Sequence, residues 1–160
     1  MNRLGCTVVL LAALMVGAAN QLTAQEQDHE RKVTRKDLPA AVAKTVDAQS
    51  HGATIRGYSE EQENGRTLYE VELRVNGHTR DVLIDSNGAV VEVEEQVAVA
   101  SLPAAVRDGL KAGAGSGKIG VVESVTKGGQ IVAYEAHVTT NGKKSEVKVG
   151  PDGKPLPGEP

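Results

Sequence analysis

Residues Tyr69–Gly88 read YEVELRVNGHTRDVLIDSNG and contain the clearest folding signal in the chain. Apolar and polar residues alternate on both sides of Asn76-Gly77, and a second turn sequence, Asn87-Gly88, follows. Asn-Gly between two alternating segments is typical of a hairpin, because a type I′ turn needs two residues that accept positive φ. The pattern predicts two antiparallel strands, Leu68–Val75 and His78–Asp85, joined by a two-residue turn.

A second, weaker copy of this pattern occurs at Tyr134–Gly153, which reads YEAHVTTNGKKSEVKVGPDG. Its tyrosine, its Asn-Gly pair and its final glycine all follow those of the first copy at the same separation. A constant separation of this kind indicates an internal repeat. Two units of about 60 residues are each marginally stable alone, so we expect them to pack together or to share a sheet.

A helix is predicted before each copy. The sequence LPAAV occurs at Leu38–Val42 and again at Leu102–Val106, and apolar residues recur after it at helical spacing. Asp37 and Ser101 precede these segments, and both residue types are good N-caps. The predicted fold class is therefore α+β: a tandem repeat of one helix followed by a three- to four-stranded antiparallel meander, with the helices packed on one sheet face.

The N-terminus is typical of a cleaved signal peptide, with Arg3 followed by the apolar run Leu4–Ala19 and a small residue before the cleavage point. Cys6, the one cysteine of the chain, lies in this segment, so the mature protein is predicted to be free of disulfides. We expect a periplasmic or secreted protein with no stable membrane anchor after cleavage.

Four segments are predicted along the chain: a signal peptide at residues 1–24, a flexible leader at 25–36, a first repeat at 37–97 and a second repeat at 98–160. The second repeat is expected to be the less stable one, because prolines near its end leave its last strand short or absent.

The two-residue turns fix which residues pair across each hairpin. They place Val71 opposite Val82 and Ala136 opposite Val147, on the face that we expect the helices to cover. The opposite face is charged, and an antiparallel sheet commonly leaves one such face in water. The sequence predicts that this face binds a partner through Glu70, Glu72, Arg74, Asp81, Glu135, His137, Glu146 and Lys148.

The sequence contains no recognisable catalytic, cofactor or metal motif. The four histidines lack a zinc spacing, and no serine stands in a nucleophile motif. Gly113–Gly120, GAGSGKIG, is predicted to be a linker, because it follows a helix and lacks the Ser or Thr of a phosphate loop. The acidic run of Glu92, Glu94 and Glu95 matches no calcium loop and is predicted to lie on an exposed edge. We therefore expect a non-enzymatic protein with no cofactor and no metal.

Composition also excludes one class of partner. The chain has a net charge of −3, three tyrosines and no Phe or Trp. Nucleic-acid binding usually needs a basic surface and aromatic side chains on which bases stack. A nucleic-acid partner is therefore not expected.

Several of these features together resemble the PepSY-like superfamily, and within it the beta-lactamase-inhibitor-like branch. They are L-P-x-x-V at Leu38–Val42, the strand start Tyr69–Val71, the Asn76-Gly77 hairpin, and Val82–Asp85 before Asn87-Gly88. The resemblance covers residues 37–97 well and 101–153 less well. It implies an exported α+β module, often present in tandem, and some members of the family regulate secreted peptidases or grip an enzyme between two copies. We expect this chain to bind a protein partner, a secreted or periplasmic enzyme that the polar face would inhibit or regulate.

Two other functions remain open at this stage. One is an envelope sensor of a small ligand or a cation, which would use Glu70, Glu72, Asp81 and Glu92. The other is a purely structural envelope protein. In addition, an exposed sheet edge after the second copy is able to pair with another chain, which would give a dimer.

Overall fold

The computed structural model describes residues 29–63 and 65–157. Within them the chain is α+β, as predicted, with two α-helices and one eight-stranded antiparallel sheet whose strands follow in chain order. The strands are β1 (His29–Lys32), β2 (Thr54–Glu63), β3 (Arg66–Val75), β4 (His78–Asp85), β5 (Val90–Gln96), β6 (Lys118–Lys127), β7 (Gln130–Thr140) and β8 (Lys143–Val149). The helices are α1 (Ala40–Gln49) and α2 (Ala104–Ala114). The predicted signal peptide lies outside the described residues.

Both Asn-Gly turns form as predicted. Asn76 and Gly77 have φ values of 50° and 88°, and Asn141 and Gly142 have values of 52° and 79°. These positive values are what a type I′ turn requires. The predicted cross-strand pairs also form: Tyr69 with Ile84, Val71 with Val82, Tyr134 with Val149, and Ala136 with Val147.

Each helix covers the apolar side of the strands that follow it. α1 buries Val42 and Val46 against β3 and β4, and α2 buries Val106 and Leu110 against β6, β7 and β8. Because side chains alternate along a strand, this arrangement turns the polar residues to the other side of the sheet. We call that other side, which neither helix covers, the open face.

A glycine after each hairpin packs closely against the first turn of the helix. Gly88 has a φ of 88°, and a Cβ atom placed there would lie 2.8 Å from the carbonyl oxygen of Ala41. Thr45 Oγ1 donates a hydrogen bond of 2.6 Å to the carbonyl oxygen of Gly88. Gly153 makes the corresponding approach to Ala105 of α2. Each turn therefore excludes a side chain both by its backbone conformation and by the nearby helix.

The two halves of the chain share one sheet because β5 pairs with β6. Residues 93–96 pair with residues 123–126, and the Val97 amide donates a hydrogen bond of 2.9 Å to the Val122 carbonyl oxygen. This pairing makes β5 an internal strand.

No helix in residues 29–63 and 65–157 is long and apolar enough to cross a membrane.

The predicted N-caps are wrong. The helices begin after Pro39 and Pro103, which occupy the N-cap positions. Asp37 instead accepts a hydrogen bond of 2.8 Å from the Thr34 amide, and Ser101 Oγ donates one of 2.7 Å to the Ala98 carbonyl oxygen. Each polar residue thus closes a separate 3₁₀ turn, because the extended proline backbone delays the start of the helix.

Both ends of the sheet differ from the prediction. Residues 29–32, expected in a flexible leader, form β1 and pair with residues 59–62 of β2. At the other end, the Leu156 amide donates a hydrogen bond of 3.0 Å to the Lys148 carbonyl oxygen. Residues after β8 therefore cover part of the edge that the sequence predicted to be open.

Replacing Gly88 with Ala tests the contact between turn and helix, and Gly77→Ala is a matched control. Both glycines have a φ of 88°, but a Cβ atom at Gly77 meets nothing within 4 Å. We expect Gly77→Ala to lower the free energy of unfolding by about 1 kcal/mol through backbone strain alone. Gly88→Ala should lower it by about 1–3 kcal/mol more, because Ala41 has to move. Urea denaturation measures both losses, and equal losses would contradict the contact.

Candidate functional site

The open face carries acidic residues in rows that run across the strands. In the central row, Asp81 of β4 pairs with Glu72 of β3 on one side and with Glu94 of β5 on the other. In the neighbouring row, Glu123 of β6 pairs with Glu135 of β7. The Cβ atoms of directly opposite residues lie about 4.5–5.5 Å apart, so like charges at these positions repel one another.

These rows surround an open cavity of about 230 Å³. Its lining contains Leu83, His137 and eight glutamates, and the glutamates alone come from six of the eight strands. The glutamates are Glu61, Glu63, Glu70, Glu92, Glu94, Glu123, Glu135 and Glu146. Carboxylate oxygens accept hydrogen bonds, so this lining suits a ligand group that is positively charged or rich in donors.

Two lysines neutralise part of this charge. Lys127 Nζ lies 2.7 Å from Glu92 Oε2, and Lys148 Nζ lies 3.0 Å from Glu135 Oε2. The side chains of Lys148 and Glu135 are only 13% and 15% exposed, so this pair is largely desolvated. Each ammonium thus has a glutamate partner, and Lys148 also opposes part of the rise in the pKa of Glu94 in the central row.

His137 lies between two acids. Its Nε2 is 3.1 Å from Glu123 Oε2, and its Nδ1 is 3.4 Å from Glu146 Oε1. Thr79 Oγ1 also donates a hydrogen bond of 3.1 Å to Glu123 Oε1. The pKa of the Glu146 carboxyl is raised, first by its hydrogen bond with Glu135 and then by burial.

Burial and repulsion from neighbouring acids raise the pKa values of two carboxyl groups in the central row, Asp81 and Glu94. They raise the pKa of Glu94 to about 8 and that of Asp81 to about 7, with burial as the larger cause and neighbouring acids as the second. Burial also raises the pKa of Glu70, although Ser59 Oγ donates a hydrogen bond of 2.8 Å to its Oε2, which opposes the shift. The open face therefore holds carboxyl groups that its own surroundings do not fully stabilise in the charged form.

The predicted site residues separate into four groups in the structure. Four line the cavity, two acids lie in the central row, and Lys148 contacts one of the lining residues. The lining residues are Glu70, Glu135, His137 and Glu146, and the two acids are Glu72 and Asp81. Arg74 lies at the hairpin end, where its Nη1 donates a hydrogen bond of 2.6 Å to the Gly77 carbonyl oxygen.

The prediction that Glu92, Glu94 and Glu95 of β5 lie on an exposed edge is wrong for the first two. β5 is internal, so Glu92 is buried and Glu94 is half-buried, and both line the cavity. Glu95 is exposed, as predicted. The sequence analysis did not identify Glu123 as a site residue. Alternation within β6 alone does not show which face Glu123 occupies, because that depends on the pairing of β6 with β5.

The described residues contain no group of three or more His, Cys, Asp or Glu side chains that could hold a metal ion. The acids are spread over several strands instead of converging on one point. Such a spread surface suits several cationic groups held at a distance from each other, as on the surface of a protein.

No protein-family model matches the chain, and no curated protein matches it. Solved structures from Bacteroides species are similar. A DUF2874 family protein from Bacteroides ovatus is 19% identical, with a TM-score of 0.57, over 75% of this chain and 85% of that one. A BLIP-like protein from Bacteroides fragilis is 18% identical, with a TM-score of 0.53, over 74% and 83%.

A third similar structure comes from Bacteroides eggerthii and is named for a periplasmic location. It is 18% identical, with a TM-score of 0.60, over 75% of this chain and 86% of that one. At these identities the similarity shows the fold alone. The arrangement of two helices on one antiparallel sheet is thus one that this chain shares with BLIP-like and DUF2874 proteins.

The ion pair of Lys148 with Glu135 predicts an asymmetric result on mutation. Lys148→Met should lower the free energy of unfolding by about 2 kcal/mol at pH 7, because it leaves a largely buried carboxylate without its cation. The double variant Glu135→Gln/Lys148→Met should recover much of that loss, since no lone charge remains. Chemical denaturation of the three proteins measures the effect.

The exposed pair of Arg31 with Glu60 supplies the control. The Arg31 side chain is 63% exposed, and its Nη2 lies 2.8 Å from Glu60 Oε2. Arg31→Met should cost less than about 1 kcal/mol, as is usual for surface pairs. A Lys148→Met loss no greater than that of Arg31→Met would contradict the importance of burial at Lys148.

Proposed function

We propose that this chain is an exported, non-enzymatic binding module that captures a protein partner through its open face. The observation that carries the proposal is the concentration of carboxyl groups around one cavity, with the nearby lysines already engaged by Glu92 and Glu135. A partner that brings lysine or arginine side chains to this face would stabilise acids that now repel one another.

Binding would act most strongly on the acids whose ionisation is disfavoured in the isolated protein. Glu70, Asp81 and Glu94 are half-buried and have raised pKa values. A cation placed beside such a group restores its charged form, so part of the binding free energy comes from relief of existing repulsion. A basic surface on the partner is therefore the matching chemistry.

A secreted or periplasmic enzyme is the partner that we propose, with inhibition or regulation as the outcome. This rests on the resemblance of the sequence to the beta-lactamase-inhibitor-like branch and on the similarity in fold to a BLIP-like protein. Export rests on the signal-like residues 1–24 and on the periplasmic name of one similar structure.

We also infer that the two halves are tandem copies of one PepSY-like unit. The order of helix, hairpin and turn glycine is the same in both halves, and both glycines approach a helix in the same way. The second copy would lack the strand that corresponds to β5. This accounts for one sheet whose polar side extends over both units.

A second candidate function is an envelope sensor of a small ligand or a cation; the eight glutamates that line the cavity favour it, although they do not converge into a metal-binding group. Thermal denaturation with and without calcium or zinc distinguishes the two functions. A ligand that binds the native state raises the melting temperature. A rise that Glu70→Gln/Glu94→Gln abolishes would support the sensor.

Capture of an envelope protein should depend on the acids of the open face. We expect Glu70→Gln/Glu94→Gln to weaken capture by about tenfold or more, because it removes two carboxyl groups whose charged form a basic partner would stabilise. It should not lower the melting temperature, because neither acid is well stabilised in its charged form. The measurement is retention of envelope proteins on immobilised residues 25–160, followed by titration of the main captured protein.

The matched control is Asp47→Asn/Asp108→Asn, which also replaces two carboxyl groups by amides, here on the two helices on the other side of the sheet. Capture should be unchanged in this variant. Equal loss in both double variants would indicate a nonspecific effect of net charge. Unchanged capture by Glu70→Gln/Glu94→Gln would contradict the proposed binding face. Inhibition is tested separately, by assaying the captured enzyme with increasing amounts of this protein.

A further inference from the structure

The central row of the open face places acids on three adjacent strands. Asp81 lies between Glu72 and Glu94 in the register of β3, β4 and β5. All three are on internal strands, so the sheet continues on both sides and limits their access to water. Three carboxylates in one row cannot all be charged without strong mutual repulsion.

The groups that face Asp81 are also acidic. Glu70 and Glu72 face it from β3, Glu94 from β5 and Glu123 from β6, while a hydrogen bond with the backbone of Leu73 favours its charged form. The surroundings thus combine partial burial with several like charges, against one backbone hydrogen bond.

The groups that face Glu94 are mostly acidic as well. Glu92 lies on the same strand, Asp81 faces it from β4, Glu123 from β6 and Glu135 from β7. Lys148 of β8 lies on this side and lowers the pKa of Glu94, while its Nζ also contacts Glu135 at 3.0 Å. Its effect on the pKa of Glu94 is smaller than the effects of burial and of the neighbouring acids.

We propose that Asp81 and Glu94 are a proton-binding pair that sets the charge of the open face near neutral pH. The folded protein holds a proton on each group in mildly acidic solution and releases both as the pH rises through the neutral range. The open face thereby becomes more negative and more attractive to a basic partner; this last step rests on the proposed function. The raised pKa values, about 7 for Asp81 and about 8 for Glu94, support the order of release.

The effect on stability has a definite sign. In the unfolded chain both carboxyls ionise at their ordinary pKa values of about 4, so the folded state binds more protons at pH 6. The stability that these two groups contribute is complete below about pH 4, decreases as the pH rises from there, and is fully lost once the pH has passed about 7 for Asp81 and about 8 for Glu94. Above pH 9 both groups are charged in both states, and their contribution no longer changes.

Carboxyl carbon chemical shifts of the isolated protein test the pair directly. We expect the Asp81 carboxyl to titrate near pH 7 and the Glu94 carboxyl near pH 8. Midpoints below pH 5 for both Asp81 and Glu94 would overturn the proposal.

The pH dependence of unfolding gives a second, independent readout. Near pH 6 the wild-type protein should take up about two more protons on folding than the variant Asp81→Asn/Glu94→Gln, and the difference should vanish above pH 9. Equal pH dependence of the wild type and the double variant would overturn the proposal. If the double variant does not fold, the titration of the wild-type protein still decides.

Neither experiment uses a partner, so a failure here is distinct from a failure of the proposed function. Ordinary midpoints together with intact capture would leave a binding face without pH control. Shifted midpoints without capture would leave a proton-binding pair on a face with another role.

Discussion

The pairing of β5 with β6 joins the two halves of the chain into one sheet with one continuous acidic face. Residues 93–96 and 123–126 form the backbone contacts that turn two hairpin-based halves into one sheet. Without this pairing, Glu94 would lie on an open edge in water, and the acids of β6 and β7 would belong to a separate surface. With it, acids from both halves surround one cavity, and the inner members lose much of their access to solvent.

The strand alternation that builds the core also creates this acidic surface. Placing Val71 and Val82 beneath α1 forces Glu72 and Asp81 to the other side of the same strands. Stability and surface charge are therefore linked, because a shift in register would expose the valines and bury the acids. The apolar side stabilises the fold, and the polar side carries repulsion that a basic partner would relieve.

Local signals allowed much of the fold to be predicted from the sequence. The Asn-Gly turns fixed both hairpin registers, so the side of the sheet on which Glu70 and Glu135 lie was correct. The pairing of β5 with β6 could not be predicted, since no turn joins these strands and the contact depends on how the halves meet. That is why Glu94 was expected on an exposed edge and Glu123 was missed. The prediction of the N-caps was wrong for a local reason: Pro39 occupies the N-cap position itself, so the helix begins later than expected.

The most direct test of the open face as a site for cationic partners is chemical-shift mapping with a lysine oligopeptide as the probe and a glutamate oligopeptide as the control. We predict saturable shifts at the backbone amides of β3 to β7 near the cavity, centred on Glu70, Asp81, Glu94 and Glu123. Added salt should weaken them, and the glutamate peptide should cause none. Shifts centred on α1 and α2, or no saturable shifts at all, would contradict the account.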